Sequence, residues 1–529
     1  MKYRIVNGRI IDGSGEKSYT KDIAIHDGRI VLNPQAQSAD EIVIDASGLC
    51  VSPGFIDTHR HADIAVFRDA EFGKIELSQG ITTIVSGNCG LSVVPSSDAS
   101  RQEMYSYIKP CLGKDEGFCF SSFAEYMDAL DKKALPINIG MLVAAGAATV
   151  ATKGFSGEPF NEKTLKTTIG LIDEALDAGA VGISSGLIYI PECFTDRKSL
   201  ESILKRAKLK DRYVSFHLRT EGSGIIEALN EVIDLAKATG ISVNLSHFKA
   251  IGKPNWGILI SRAIELIDNA RSAGIHITAD FYPYNYLATM LMSLLPPNVA
   301  AKGKNALIDL FGTEKGIQEF LTEVKRPRDD WEDQSIYTGW DNIYLSSVVT
   351  KKNKDIESKS LREISKIRGI DNEWQTMAQL LHEENGEAGL IQVGMSEQDV
   401  EQVAGLDYTM LASDSLYSGA DKPHPRLYGA FPKLIRHYVK ERNIMTPERA
   451  IMKMTSLPAS RLNIKDRGLI RENYCADICI FDYNTIADTA TFQNPCSFSK
   501  GIKYVFVNGD LAWYDNDTTG KKSGKTIRA

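Results

Sequence analysis

Two histidines one residue apart, His59 and His61, follow an apolar run in "PGFIDTHRHAD", residues 53–63. Side chains two apart on a strand leave from one face, so this pair can aim at a common point. Four more residues able to bind a metal stand near the ends of strand-like runs: Cys89 in "SGNCG", His217 in "YVSFHLR", His247 in "LSHFKA" and Asp414 in "ASDS". Any one of them alone reads as a core or rim residue. The chain has nine histidines, and four occupy such ends, so the joint placement argues for a metal site. One thiolate with two neutral imidazoles suits Zn2+ and leaves a fourth position for water. Zinc lowers the pKa of such a water to about 7 and polarises a carbonyl. A carboxylate must then take the water's proton and return it to a leaving group, and Asp414 is placed for that role.

The elements that must position these residues are eight strand-like runs: "CVSPGFIDTH", "GITTIVSGN", "INIGMLVA", "AVGISSGLIY", "YVSFHLR", "ISVNLSHFKA", "IHITADFYPY" and "YTMLASDS". Several gaps, such as "SGIIEALNEVIDLAKATG", carry apolar residues three and four apart and predict amphipathic helices. Eight such units predict an α/β fold of the (β/α)8 TIM-like barrel type, whose chemistry sits at the C-terminal ends of the strands. The long interval before the eighth run predicts a helical insertion at about 290–350, placed as a lid over the barrel mouth. Residues 1–52 and 465–529 alternate and turn at Asn-Gly and Asp-Gly pairs, as in "YRIVNGRII", "DIAIHDGRIV" and "GIKYVFVNGDLAWYD". They read as hairpins that join into one small β-sandwich module built from both termini, around a barrel at 53–464.

The chain of 529 residues is 43% hydrophobic and 24% charged, with a formal charge of -7. No basic tract interleaved with aromatics marks a nucleic-acid partner, so a small-molecule substrate is expected. No signal-like start and no apolar run of about 18 residues appears, which predicts a cytoplasmic protein without a membrane partner. The eight cysteines are dispersed and read as mostly reduced and buried. Cys475 and Cys479, four apart in "NYCADICIFD", read as core residues on one strand face.

With those residues in view, the chain resembles the amidohydrolase superfamily, and within it the N-acyl-D-amino-acid deacylases. "PGFIDTHRHAD", "SGNCG", "GLIYIP", "FHLRTEG", "LSHFKA", "DFYPY", "ASDS", "HPRLYGAFP" and the closing "ADICIFDYNTIAD" stand in the family's order over nearly the whole chain. The resemblance implies that Cys89, His217 and His247 hold a tight zinc ion. It implies a second, weaker metal site at His59, His61 and Asp414, with Asp414 also the general acid and base. Lys249, Tyr282 and Arg426 resemble a clamp for the substrate's α-carboxylate, and Tyr189 a further contact. A cationic pair beside a zinc site also suits an anionic substrate on chemical grounds. Six residues past Tyr282, where the family often has a carboxylate-binding serine, stands Ala288, with Thr289 beside it as a substitute. "LVAAGAATVATKG" replaces the family's Gly-His-Gly segment, and "LATMLMSLLPP" has no arginine to hold a side-chain carboxylate, which argues against an N-acyl-D-glutamate preference. The expected activity is hydrolysis of N-acyl-D-amino acids. A dipeptidase for C-terminal D-residues, a hydantoinase- or dihydroorotase-like cyclic-amide hydrolase and a catalytically silent metal-binding barrel are the alternatives.

Overall fold

Eight of the apolar runs form parallel strands in a computed structural model that describes residues 2–35, 39–114, 117, 119–328 and 331–529. They are β1 Phe55–Asp57, β2 Ile81–Ser86, β3 Asn138–Met141, β4 Gly182–Gly186, β5 Tyr213–His217, β6 Ser242–Leu245, β7 Ile277–Phe281 and β8 Thr409–Leu411. Each pairs in parallel with the next, save that β3 itself has no ladder with β4. The β3 chain continues through Val143–Ala144, and that extension meets β4. Beyond β1 and β8 the chains meet again, with Ser415–Leu416 parallel to Arg60–His61 and the Asp414 N–H donating to the His59 carbonyl at 2.8 Å. Strands β2 and β5 are buried along their whole length, as strands of a parallel sheet covered on both faces are.

The intervening helices follow from the 3.6-residue pattern. Ile225–Thr239 buries Ile225, Ala228, Leu229, Val232, Ile233 and Ala236 on one stripe, each large aliphatic residue contributing roughly 1.5–3 kcal/mol of burial. It stops at Gly240, whose left-handed φ of 70° closes the last turn. Glu162–Asp177 begins at an Asn161–Thr164 capping box, which satisfies two otherwise orphaned N–H groups.

Strands from both termini share one antiparallel-rich sheet, in the order Asp517–Thr518, Asp510–Tyr514, Ile502–Val507, Ile478–Phe481, Cys50–Pro53, Arg9–Ile10, Tyr19–Thr20. A second sheet holds Arg29–Val31, Ile23–His26, Lys2–Val6 and Glu41–Asp45. Side chains from both sheets, including Ile5, Ile25, Val51, Ile478 and Phe506, form an apolar cluster apart from the main core. "DIAIHDGRIV" and the segment around Asn508-Gly509 are two-residue hairpins as expected, with both turn residues at positive φ. "YRIVNGRII" is not a hairpin: Lys2–Val6 and Arg9–Ile10 belong to different sheets. Asn7 at φ 62° turns the chain from one sheet to the other, and a Cβ on Gly8 would lie 2.6 Å from Val51 Cγ2.

The interval between β7 and β8 also differs from a purely helical insertion at 290–350. Tyr286–Met290, Ile343–Ser347 and Gly389–Val393 form an antiparallel sheet, with helices such as Lys304–Phe311 and Glu373–Glu383 around it. Short strands separated by tens of residues leave no local hairpin signal, so sequence patterning sees only the helices. The strand near the paired cysteines is Ile478–Phe481 alone. Cys479 is buried, while Cys475 lies outside the strand and half-buried, so the two do not share a strand face. All eight thiols are free, but only Cys50, Cys89, Cys111 and Cys479 are buried.

Candidate metal centre and active site

Parallel pairing brings the carboxyl ends of the eight strands to one side, and the candidate residues sit there. His217 ends β5; His59, Cys89, His247 and Asp414 lie two or three residues past their strands. Three of them, Cys89, His247 and Asp414, are non-glycine residues with positive φ, at 57°, 37° and 52°. Such backbone costs of order 1–3 kcal/mol each and persists only where its surroundings enforce it. Around Cys89 the enforcement is visible. A Cβ on Gly87 would lie 2.3 Å from the Leu142 carbonyl oxygen, and one on Gly90 would lie 2.0 Å from Glu192 Oε2. The Gly90 N–H donates to Ser184 Oγ at 3.1 Å. Glu192 is itself held by Ser185 Oγ at 2.7 Å and by the Gly186 N–H at 2.9 Å, and burial pushes its carboxyl up to about 7.

Cys89 Sγ lies 3.3 Å from His59 Nε2 and 3.5 Å from His247 Nε2. The His217 and His247 rings are 4.4 Å apart between centroids. On the other side, Asp414 Oδ1 is 3.3 Å from His59 Nε2 and 3.4 Å from His61 Nε2. The thiol thus stands between His247 of its own expected set, Cys89/His217/His247, and His59 of the other, His59/His61/Asp414. Burial opposes ionisation of Cys89, but the imidazoles of His59 and His247 outweigh it and draw the thiol well below its ordinary range. Burial likewise opposes the Asp414 charge, and Arg426 with His59 holds that carboxyl well below the usual carboxylate range.

Further buried groups fix the ring orientations. His59 Nδ1 lies 3.2 Å from Asp280 Oδ1, which also accepts the His247 N–H at 2.7 Å, and Asn244 Nδ2 donates to the other Asp280 oxygen at 2.6 Å. His247 Nδ1 is 2.9 Å from Glu221 Oε1, so a ring that ligates through Nε2 donates its remaining N–H to a carboxylate. Burial and Lys249 both disfavour the His247 cation, yet Glu221 and Cys89 prevail and raise its pKa to about 9. Arg60, between the two leading histidines, is fully buried, with Nε 2.6 Å from Asp57 Oδ2 and its other end on Glu76 and Tyr417. Glu221 and Asp280 stand inside "FHLRTEG" and "DFYPY" but received no role there, and Glu192 lies outside every quoted motif. A carboxylate four past His217, one at the end of β7 and one after "GLIYIP" were the available hints.

The donor chemistry fits zinc. An ionisation-prone thiol, imidazole nitrogens and a carboxylate converge so that the ligating atoms of His59, Cys89 and His247, and those of His59, His61 and Asp414, lie within 4.8 Å of one another in each group. His61 Nδ1 and His217 Nδ1 are buried with no hydrogen-bond partner. Borderline-soft N and S donors of this kind match Zn2+ better than Mg2+ or Ca2+.

A cleft of about 590 Å³ opens over these residues, and Tyr189, Thr289, Lys249 and Tyr282 line it together with Glu221. Ser293 and Gln334 reach it from the interval between β7 and β8. Tyr189 Oη lies 3.5 Å from Thr289 Oγ1, and the buried Tyr282 hydroxyl has no hydrogen-bond partner. Both expected clamp cations are already matched by carboxylates: Lys249 Nζ is 2.7 Å from Glu221 Oε1, and Arg426 Nη1 is 2.8 Å from Asp414 Oδ2. Arg426 stands behind the cleft wall, 4.7 Å from the Tyr282 ring centre.

Two models described as "Amidohydrolase family" match the chain, at residues 50–289 and 374–512. The chain is 31% identical to N-acyl-D-glutamate deacylase and 29% identical to D-aminoacylase, both of Alcaligenes xylosoxydans xylosoxydans, over 99% of this chain and 96% of each relative. It is similar to the crystal structure of N-acyl-D-glutamate deacylase from Bordetella bronchiseptica complexed with zinc and a phosphonate mimic of the tetrahedral intermediate, with TM-score 0.82 and 29% identity. It is also similar to a D-aminoacylase structure described for its binuclear metal centre, with TM-score 0.84 and 28% identity. Each structural match covers 100% of this chain and 99% of the other. The chain belongs to the amidohydrolase family, among the N-acyl-D-amino-acid deacylases.

Proposed function

We propose that this protein is a zinc-dependent hydrolase that cleaves the amide of N-acyl-D-amino acids to a carboxylate and a free D-amino acid. The observation that carries the reading is one cleft in which Cys89, His247, His61 and Asp414 face Lys249 and Tyr282. Cys89, His217 and His247 would hold the tight ion and His59, His61 and Asp414 the weaker one, with the thiol positioned to serve both. When bound, zinc supplies Lewis acidity toward water and the acyl carbonyl. Asp414 accepts the proton of the attacking water and passes it to the amide nitrogen, so that the C–N bond breaks with a neutral amine leaving. Arg426 holds the second Asp414 oxygen and thereby aims the first at His59 and His61. The Tyr282 hydroxyl, buried and without a partner, is the donor free for the substrate carboxylate, with Lys249 beside it and Tyr189 and Thr289 on the facing wall.

The eight strands act as a closed (β/α)8 barrel over residues 53–464. The two sheets at 1–52 and 465–529 act as one β-sandwich module, and the interval between β7 and β8 as a lid that brings Gln334 to the cleft. Ile188, Ile251 and Leu287 make an apolar wall, which supports uncharged side chains over glutamate. Free thiols, and no helix among the described residues long and apolar enough to cross a membrane, support a cytoplasmic setting. A screen of the zinc-loaded protein against paired N-acetyl-D- and N-acetyl-L-amino acids tests the reading. Turnover confined to the D series is expected; cleavage of L substrates or cyclic amides alone would overturn it.

A further inference from the structure

Two more spaces lie in series beyond the cleft. A narrow void, a constriction with room for little more than a water molecule, shares Ala288, Thr289 and Leu416 with it. A surface basin of about 660 Å³ shares Pro110, Ser347, Ser418 and Ala420 with that void. Both partitions consist largely of small side chains, which a modest shift can part. The walls come from three separate places: Pro110 of the helix Arg101–Leu112, the ends of the antiparallel sheet at Thr289 and Ser347, and the loop that runs from Asp414 to Arg426. Gly389 keeps the sheet side thin, since a Cβ there would lie 2.5 Å from Ser347 Oγ and 2.7 Å from Ser346 Oγ.

Thr289, Ser346, Ser347 and Ser418 bring hydroxyls to this lining, while both ring nitrogens of His424, also on the wall, are engaged by the Tyr286 carbonyl and the Arg426 N–H. The basin carries the exposed Lys114, the Glu387 carboxylate, and Lys109 and Lys354. The last two are paired: Lys109 Nζ with Glu387 at 2.7 Å, and Lys354 Nζ with Glu357 at 2.8 Å and Asp421 at 3.0 Å. Compensated lysines offer a passing anion transient hydrogen bonds without the deep well of an uncompensated cation cluster.

We propose that cleft, void and basin form one passage through which a carboxylate-bearing product leaves the site. The inference rests on the deacylase reading, because amide hydrolysis there yields two such products, the released acid and the amino acid. It assigns a release function to Ser347 and to the loop residues Ser418 and Ala420, none of which lines the cleft.

Ala420→Trp and Ser418→Phe, both on that loop and on the wall shared by void and basin, narrow the passage without changing a cleft residue. With zinc-loaded enzyme in excess over an N-acetyl-D-amino acid, the single-turnover cleavage rate is expected to stay within two-fold of the parent. With substrate in excess, kcat is expected to fall five-fold or more. Lengthening the acyl chain or the side chain then tells which product uses the route, by which series deepens the defect. An arm without turnover follows zinc removal by dipicolinate, a small dicarboxylate chelator, which the same variants should slow by a similar factor. Unchanged kcat and unchanged chelation in both variants would overturn the passage, and so would equal losses in single and multiple turnover. Failure of the deacylase reading shows separately, as a parent that hydrolyses no N-acyl-D-amino acid, and the chelation arm still decides the passage.

Discussion

At the scale of single residues the decisive group is the Cys89 thiol, because it is the softest donor and stands between His247 and His59, one from each expected set. Cys89→Ala removes a ligand and its negative charge together, so tightly held zinc and activity are expected to disappear in parallel, read by metal analysis of the purified variant. A variant that keeps its zinc and normal turnover would make Cys89 a core thiol. Asp414→Asn separates proton transfer from metal binding. The amide keeps the shape but cannot carry a proton near neutral pH, so kcat should fall by ~10²–10⁴ while zinc at Cys89, His217 and His247 persists. Loss of zinc from that set along with kcat would instead make Asp414 mainly a structural neighbour of the imidazoles.

At the scale of elements, the turn after β2 shows how backbone and side chains enforce one another. Gly90 leaves room for Glu192, and Glu192 fastens the end of β4 through Ser185 and Gly186. Burial raises this carboxyl from an ordinary 4.5 to about 7, so between those values the folded protein binds a proton that the unfolded chain has lost. Its contribution to stability is therefore complete below about pH 4.5 and fades as pH rises through 7, by about 3 kcal/mol. Glu192→Gln cannot ionise, and its urea stability relative to the parent is expected to improve by that order from pH 4.5 to pH 8. A constant difference across that range would show that Glu192 does not titrate in this window.

At the scale of the whole molecule, the chain end is tied into the central sheet. Thr526–Ile527 pairs in parallel with Ile139–Gly140, beside the half of β3 that β4 does not reach. Ile527 packs into a cluster with Ile56, Val85, Leu142 and Val181. Ile527→Ala should therefore destabilise the protein by about 2–4 kcal/mol in denaturant unfolding, the size of a core truncation and not of a loose tail. An effect within about 0.5 kcal/mol, as at ordinary surface positions, would mean that the terminal strand detaches freely.

The sequence by itself determined the eight strand runs and several of the helices between them, and it named six candidate metal-binding residues. Those signals are local: a strand's alternation, a helix's stripe and an unusual histidine or cysteine are all written within a few residues of each other. It did not determine that "YRIVNGRII" crosses between sheets, that three short strands tens of residues apart pair above the cleft, or that the last residues join β3, because strand partners are chosen by distant chain. Nor did it reveal that Lys249 and Arg426 already face Glu221 and Asp414, or that Asp280 and Glu221 orient the histidine rings. An ordinary Asp or Glu carries no distinguishing pattern along the chain. Only the tertiary structure brings Glu221 to 2.9 Å and Asp280 to 3.2 Å from an imidazole and buries them there, and the low dielectric of that burial makes their charge matter.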